Sequence, residues 1–166
     1  MDKRADELME EYFQTKDIFK RNCILKYLLL NLPSDAKDFF FKSFKKERYL
    51  DMKLSAVRGY SAYAAEKEVE VLMDKMLELL KRVPQHTPYA YQEYEIMRSV
   101  FLMPYLIKKY KYKCFRVFNE QLEKQYNDLP DCFKNIFSLD EYGKSYTIRD
   151  PEEVKKSWDD FHNRKK

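Results

Sequence analysis

The sequence predicts an all-α protein of stacked antiparallel helix pairs, with about seven to nine helices. Apolar residues recur at i, i+3 and i+4 through most of the chain, which is the spacing of one helix face. Glycine occurs only 2 times in 166 residues, and 36% of the residues are charged. Both values favour long helices with solvated faces. No set of segments shows the alternating pattern of a β-sheet.

Helical spacing predicts four helices before residue 84. The first apolar pattern covers residues 3–31 and stops at Leu32–Asp35, where a proline and possible capping residues follow each other. The next two helices are predicted over residues 36–44 and 51–65. The fourth has the clearest amphipathic pattern, formed by Val69, Leu72, Met73, Met76, Leu79, Leu80 and Val83. In the first pattern the apolar residues are Leu8, Tyr12, Ile18, Cys23, Tyr27 and Leu30.

The second half of the chain is predicted to begin with a loop at residues 84–88, between two prolines. A helix over residues 89–113 contains Pro104, which must kink or split it, and residues 114–128 continue as helix. A short helix from Pro130 precedes an irregular segment at 138–150, in which 145–148 form a brief extended stretch. Asp150 and Pro151, followed by two glutamates, predict the start of a C-terminal helix. All of residues 1–166 are expected to form a single helical domain.

Gly59 lies inside a predicted helix, where glycine costs about 1 kcal/mol relative to alanine. Close packing against a neighbouring helix would explain it. Substitution by alanine should then be destabilising if a helix crosses there, and tolerated or stabilising if the position is exposed.

Two consecutive helix pairs share one apolar pattern. A shift of 33 residues places Ala36, Phe39, Phe40, Ser43 and Phe44 over Val69, Leu72, Met73, Met76 and Leu77. The segment from Ala56 to Leu80 resembles a HEAT-type repeat. The first helix of that repeat is matched by Ala56, Val57, Arg58, Ala62, Ala64 and Ala65, and the second by Val69, Leu72, Leu77, Leu79 and Leu80. The resemblance extends over residues 16–83, is weaker after 90, and implies a short α-solenoid with a concave binding surface. The alternative architecture for the stacked helix pairs is an irregular helical bundle.

The net charge, the length of the apolar runs, the cysteine spacing and the absence of known motifs argue against several classes of protein. A net charge of +4 is too balanced to indicate a dedicated nucleic-acid binder. The longest apolar run, residues 27–30, is too short for a membrane span, and no signal peptide is expected. The cysteines, at positions 23, 114 and 132, have neither disulfide nor zinc spacing, which is typical of reduced thiols in the cytoplasm. The sequence also lacks known catalytic and phosphate-binding motifs, so neither an enzyme, a metal nor a cofactor is expected.

Two segments are candidates for partner binding. The first has three tyrosines and an arginine beside the predicted loop, Tyr89, Tyr91, Tyr94 and Arg98, and these residue types are frequent in protein interfaces. The second, residues 106–118, alternates basic and aromatic residues, with Lys109, Lys113 and Arg116 as candidate contacts. On one continuous helix, Tyr110, Cys114 and Phe118 would form a packing stripe. The lysines and tyrosines could instead grip phosphates and stack on bases.

These observations favour a non-enzymatic, cytoplasmic protein-binding module. Size, helical content and richness in lysine and tyrosine resemble the immunity proteins of bacterial toxin systems, which implies a cognate toxin as partner. The alternative is a helical protein that associates with nucleic acid through residues 108–116.

Overall fold

The computed structural model describes residues 3–82, 102–128, 137–139 and 145–164. Within these ranges there are eight helices and one pair of short strands, so the prediction of an all-α fold is confirmed. In chain order the elements are α1 Lys3–Gln14, α2 Ile18–Leu30, α3 Lys37–Lys46, α4 Leu50–Ser61, α5 Glu66–Lys81, α6 Leu102–Tyr110, α7 Lys113–Asn127, β1 Phe137–Leu139, β2 Ser145–Thr147 and α8 Pro151–Arg164. The predicted loop at 84–88 lies outside the described residues.

By its internal contacts the chain divides into two compact units, Met1–Met76 and Leu77–Lys166. In the first unit, α4 is the central helix. It is buried on almost every side, from Leu50 at its start to Ser61 at its end, and it packs against α2 and α3. A helix that is apolar around most of its circumference must be covered by neighbours to be stable.

The single helical pattern predicted over residues 3–31 forms two helices in the structure. α1 ends at Gln14, and Asp17 caps α2 by accepting a hydrogen bond from the Lys20 amide at 3.3 Å. Such a cap satisfies one of the unpaired amides at the start of a helix. The break lets the two helices pack against each other.

Helix α5 confirms the amphipathic pattern predicted for it. Its buried residues are Val69, Leu72, Met73, Met76 and Leu80, whereas Leu79 is partly exposed and Val83 lies outside the described residues. Glu68 closes its first turn by accepting from the Ala65 amide at 2.8 Å. The same carboxylate pairs with Lys37 of α3 at 2.8 Å.

The shared apolar pattern of the two helix pairs is matched best in their second helices. Four pairs of positions 33 residues apart are buried both in α3, with its N-cap residue Ala36, and in α5, namely Ala36 and Val69, Phe39 and Leu72, Phe40 and Met73, and Ser43 and Met76. The same shift of 33 residues also places Cys23 of the first helix pair over Ala56 of the second. There the match is poorer, because Cys23 is exposed while Ala56 is buried. The helices are packed together in a way that is compatible with a helical repeat.

Gly59 is explained by the close approach of α3 to α4. A Cβ atom at this position would lie 2.3 Å from two carbons of the Phe40 ring. Phe40 is fully buried, with Phe39 and Tyr63 beside it, so the ring has little room to move away. The glycine therefore provides the space that a core aromatic fills.

In the second unit, α6 packs against α7 and against β1, and β1 pairs antiparallel with β2. The boundary between the two helices predicted over residues 89–113 and 114–128 was expected after residue 113, and in the structure it lies earlier in the chain. Lys111 has a φ of 55° and, together with Tyr112, separates α6 from α7.

The predictions for α8 are confirmed, since Asp150 accepts a hydrogen bond from the Glu152 amide at 2.8 Å and the helix begins at Pro151. The expected extended stretch is found as β2.

We predict that Gly59→Ala destabilises the protein by about 1–3 kcal/mol, because the added methyl overpacks the contact with Phe40. Urea denaturation measures this change. The control is the same substitution in a Phe40→Leu background, where the cost of Gly59→Ala should shrink because the ring is absent. A stability gain of up to about 1 kcal/mol from Gly59→Ala, as expected for an exposed helix position, would contradict the packing described here.

Candidate interaction surfaces

Helix α2 has apolar side chains on two opposite faces. One face is buried and contains Ile24, Leu25 and Leu28. The other contains Phe19, Cys23 and Leu30, which share one side of the helix because they are spaced at i, i+4 and i+11. Phe19 is 76% exposed, Leu30 is 45% exposed and Cys23 is exposed. We call these three residues the α2 apolar face.

A buried polar network determines which side of α2 faces the core. Glu47, at the end of α3, is only 2% exposed. Its carboxylate accepts hydrogen bonds from Arg21 of α2, at 2.8 Å to Nε and 3.3 Å to Nη2, and from the hydroxyl of Tyr12 in α1. Removing one partner from a buried ion pair generally costs about 3–5 kcal/mol. The network therefore ties three helices together at one point.

The ionisation of Tyr12 reflects this environment. Burial raises the pKa of the Tyr12 hydroxyl above its ordinary value of 10.0, and the Glu47 carboxylate raises it further by accepting its proton in a hydrogen bond. The hydrogen bond to Glu47 also raises the pKa of Arg21. The hydroxyl thus stays a donor and the guanidinium stays charged.

The position of Arg21 accounts for the exposure of the α2 apolar face. Phe19 and Cys23 are each two residues from Arg21, and two residues correspond to a rotation of about 200° around a helix. When Arg21 turns inward to Glu47, Phe19 and Cys23 must therefore turn outward. The sequence contains both apolar faces of α2. The buried Glu47 carboxylate, through Arg21, determines which of the two faces is exposed.

Cys23 and Leu30, two apolar residues of the pattern predicted over residues 3–31, lie on the exposed side of α2. Two apolar stripes with helical spacing coexist in α2, and spacing alone does not show which of them is buried. The signal that could have revealed the α2 apolar face is the presence of apolar residues on both sides of a helix that has few charged positions.

The second surface is formed where α6 meets α7. Lys111 closes α6 by donating from its amide to the Ile107 carbonyl at 3.0 Å, and its left-handed backbone redirects the chain into α7. The five basic residues on either side of this turn, Lys108, Lys109, Lys111, Lys113 and Arg116, are all exposed. We call these five residues the basic corner.

Two features of the basic corner work against local stability. A left-handed conformation costs about 1–2 kcal/mol for a residue other than glycine, which is the usual choice at a helix end. Lys113 and Arg116 lie in the first turn of α7, which has no acidic residue, whereas α1, α3, α4, α5 and α8 each have an acidic residue there. Cations at the positive end of a helix dipole are unfavourable, typically by about 0.3–1 kcal/mol each.

The tyrosines of this region contact one another and the lysines. Tyr112 stacks on Phe115, with ring centroids 5.5 Å apart, and Tyr110 lies 5.6 Å from Tyr112. The ammonium of Lys109 lies 5.5 Å from the centroid of Tyr110 and 5.6 Å from that of Tyr105. These contacts hold the rings in place, while the five cations of the basic corner are exposed.

The structure places only part of the predicted partner-binding set. Lys109, Lys113 and Arg116 are exposed and lie together in the basic corner. Tyr89, Tyr91, Tyr94 and Arg98 lie outside the described residues. The packing stripe expected on one continuous helix does not form, because the turn at Lys111 places Tyr110 and Cys114 on different helices.

Within the described ranges, no group of three or more His, Cys, Asp or Glu residues is arranged to hold a metal ion, and no described helix is long and apolar enough to cross a bilayer. Comparison with protein-family models, with curated proteins and with solved structures gives no match. The α2 apolar face and the basic corner are therefore the features from which a function can be inferred.

We predict that Tyr12→Phe lowers the free energy of unfolding by about 1–2 kcal/mol at pH 7, because Glu47 loses a buried hydrogen-bond donor. The pKa of Tyr12 is raised in the folded state, so its contribution is complete below the unfolded pKa of about 10 and is lost as the pH rises above it. Urea denaturation at neutral and alkaline pH should show the difference between the wild type and Tyr12→Phe becoming smaller above about pH 10. A difference that does not change with pH would contradict the raised pKa.

Proposed function

We propose that this protein is a non-enzymatic protein-binding module that contacts its partner through the α2 apolar face. The observation that carries this proposal is the 76% exposure of Phe19 on a helix whose opposite face is already buried. The helix does not need these outward apolar residues to pack in its own unit. They are available to a second protein.

Burial of this face would provide substantial binding energy. Covering a large apolar side chain such as phenylalanine or leucine contributes roughly 1.5–3 kcal/mol. Phe19 and Leu30 lie eleven residues apart on the helix, or about 16 Å. This length suits an apolar groove or a second helix on the partner, the arrangement in which an amphipathic helix commonly binds.

The chemistry of the buried polar groups also favours binding over catalysis. Glu47 and Tyr12 are enclosed and hydrogen-bonded to each other, and the charge of Glu47 is balanced by Arg21. These groups stabilise the fold and are not open to a substrate. The assignment to a HEAT-type repeat, the cytoplasmic location and the identity of the partner as a bacterial toxin stay predictions.

The test compares two surface variants for partner capture. Phe19→Ser/Leu30→Ser removes most of the α2 apolar face, and Val71→Ser/Leu79→Ser is the matched control, since it removes two exposed apolar residues of α5. Both should fold, because exposed substitutions usually change stability by only about 0.5 kcal/mol each. The tagged proteins are used to capture the product of the adjacent gene after co-expression, and to capture proteins from the native lysate with quantification by mass spectrometry.

We expect the wild type and the α5 control to retain the same partner and the α2 variant to lose it by roughly tenfold or more. Equal capture by the α2 variant and the wild type would contradict the proposed contact surface. A partner that is retained, but is not the adjacent gene product, would remove the toxin-inhibitor hypothesis and keep the protein-binding function.

A further inference from the structure

The basic corner concentrates positive charge in a small region. Five cations lie within residues 108–116, and the sequence has no Asp or Glu between residues 96 and 119. Among the described residues, no carboxylate forms an ion pair with any of the five. This charge is therefore available to an external anion.

Lys108 and Lys109 lie in the last turn of α6, where cations are favourable, but the other three cations are not explained by the stability of the fold. Lys111 occupies a left-handed position where glycine would be more stable, and Lys113 and Arg116 occupy the first turn of α7, where acidic residues are favoured. Local choices that oppose the stability of the fold are expected mainly at functional sites. A ligand that carries negative charge would compensate for all three.

The carboxylates that follow the basic corner along α7 favour a short acidic ligand over a long one. Along α7, exposed carboxylates follow at Glu120 and Glu123, and Glu120 lies only about 10 Å from Lys113 along the helix axis. A long phosphate backbone that continued along this helix would meet those carboxylates. A single-stranded nucleic acid would also stack its bases on aromatic rings, and Tyr110 and Tyr112 are half-buried and already contact other rings.

We infer that the basic corner binds a short acidic segment of a protein, with Lys113 and Arg116 as central contacts. Complementary charge of this kind accelerates association and selects among partners, and it weakens with added salt. The site does not depend on the α2 apolar face, because its residues belong to different helices.

The test measures binding of a fluorescein-labelled peptide of alternating glutamate and glycine by fluorescence anisotropy, at low and at physiological salt. The central variant is Lys113→Glu/Arg116→Glu. Its matched control is Lys155→Glu/Lys156→Glu, which makes the same change in net charge at exposed positions of α8. A labelled oligodeoxythymidine is the second probe. Lys111→Gly is a further variant, which removes one cation and relieves the left-handed conformation.

We expect the wild type to bind the glutamate peptide, the central variant to bind it roughly tenfold more weakly, and the α8 control to stay within about twofold. We also expect the central variant and Lys111→Gly to melt at the same or a higher temperature than the wild type, so that binding and stability change in opposite directions. This combination separates a binding role from a structural one.

Three results would overturn the inference. They are an absence of peptide binding at low salt, an equal loss of binding in the central variant and the α8 control, and tighter binding of oligodeoxythymidine through the same residues, which would assign the corner to nucleic acid. Each leaves the result for the α2 apolar face unaffected, because that assay uses other variants and another ligand.

Discussion

The arrangement of the first unit depends on the carboxylate of Glu47. It is almost completely buried, and a buried carboxylate requires a cation and further hydrogen-bond donors. Arg21 and Tyr12 supply them from two different helices. The requirement to satisfy one charge therefore sets the rotation of α2 about its own axis, and that rotation exposes Phe19. A polar interaction in the core thus determines which apolar residues are left at the surface.

Gly59 imposes a second, steric constraint in the same unit. It allows the ring of Phe40 to approach α4 more closely than any side chain would permit. Close packing contributes to stability in proportion to the surface removed from water, whereas the Glu47 network mainly selects one orientation among several. The two constraints thus have different roles, one fixing the distance between α3 and α4 and the other the rotation of α2.

The sequence predicted helices well where a single apolar stripe was present, as in α5, and where capping chemistry was strong, as at Asp150. It failed at the start of α2, where one apolar pattern covered two helices. It also failed at Lys111, because a left-handed lysine has no sequence signal comparable to glycine. For the candidate surfaces, sequence showed the basic corner as a cluster of charges. It did not show the α2 apolar face, because the choice between two apolar stripes depends on Glu47, which lies 26 residues from its partner Arg21 along the chain.

The most direct test of this account is the reactivity of Cys23, the native thiol within the α2 apolar face. Alkylation with iodoacetamide, mapped by mass spectrometry, compares Cys23 with the less exposed Cys114 in the folded protein and in urea. We predict that Cys23 in the folded protein reacts at close to its rate in urea, that Cys114 reacts more slowly than in urea, and that a bound partner protects Cys23. Strong protection of Cys23 in the free, folded protein would contradict the outward orientation of this face.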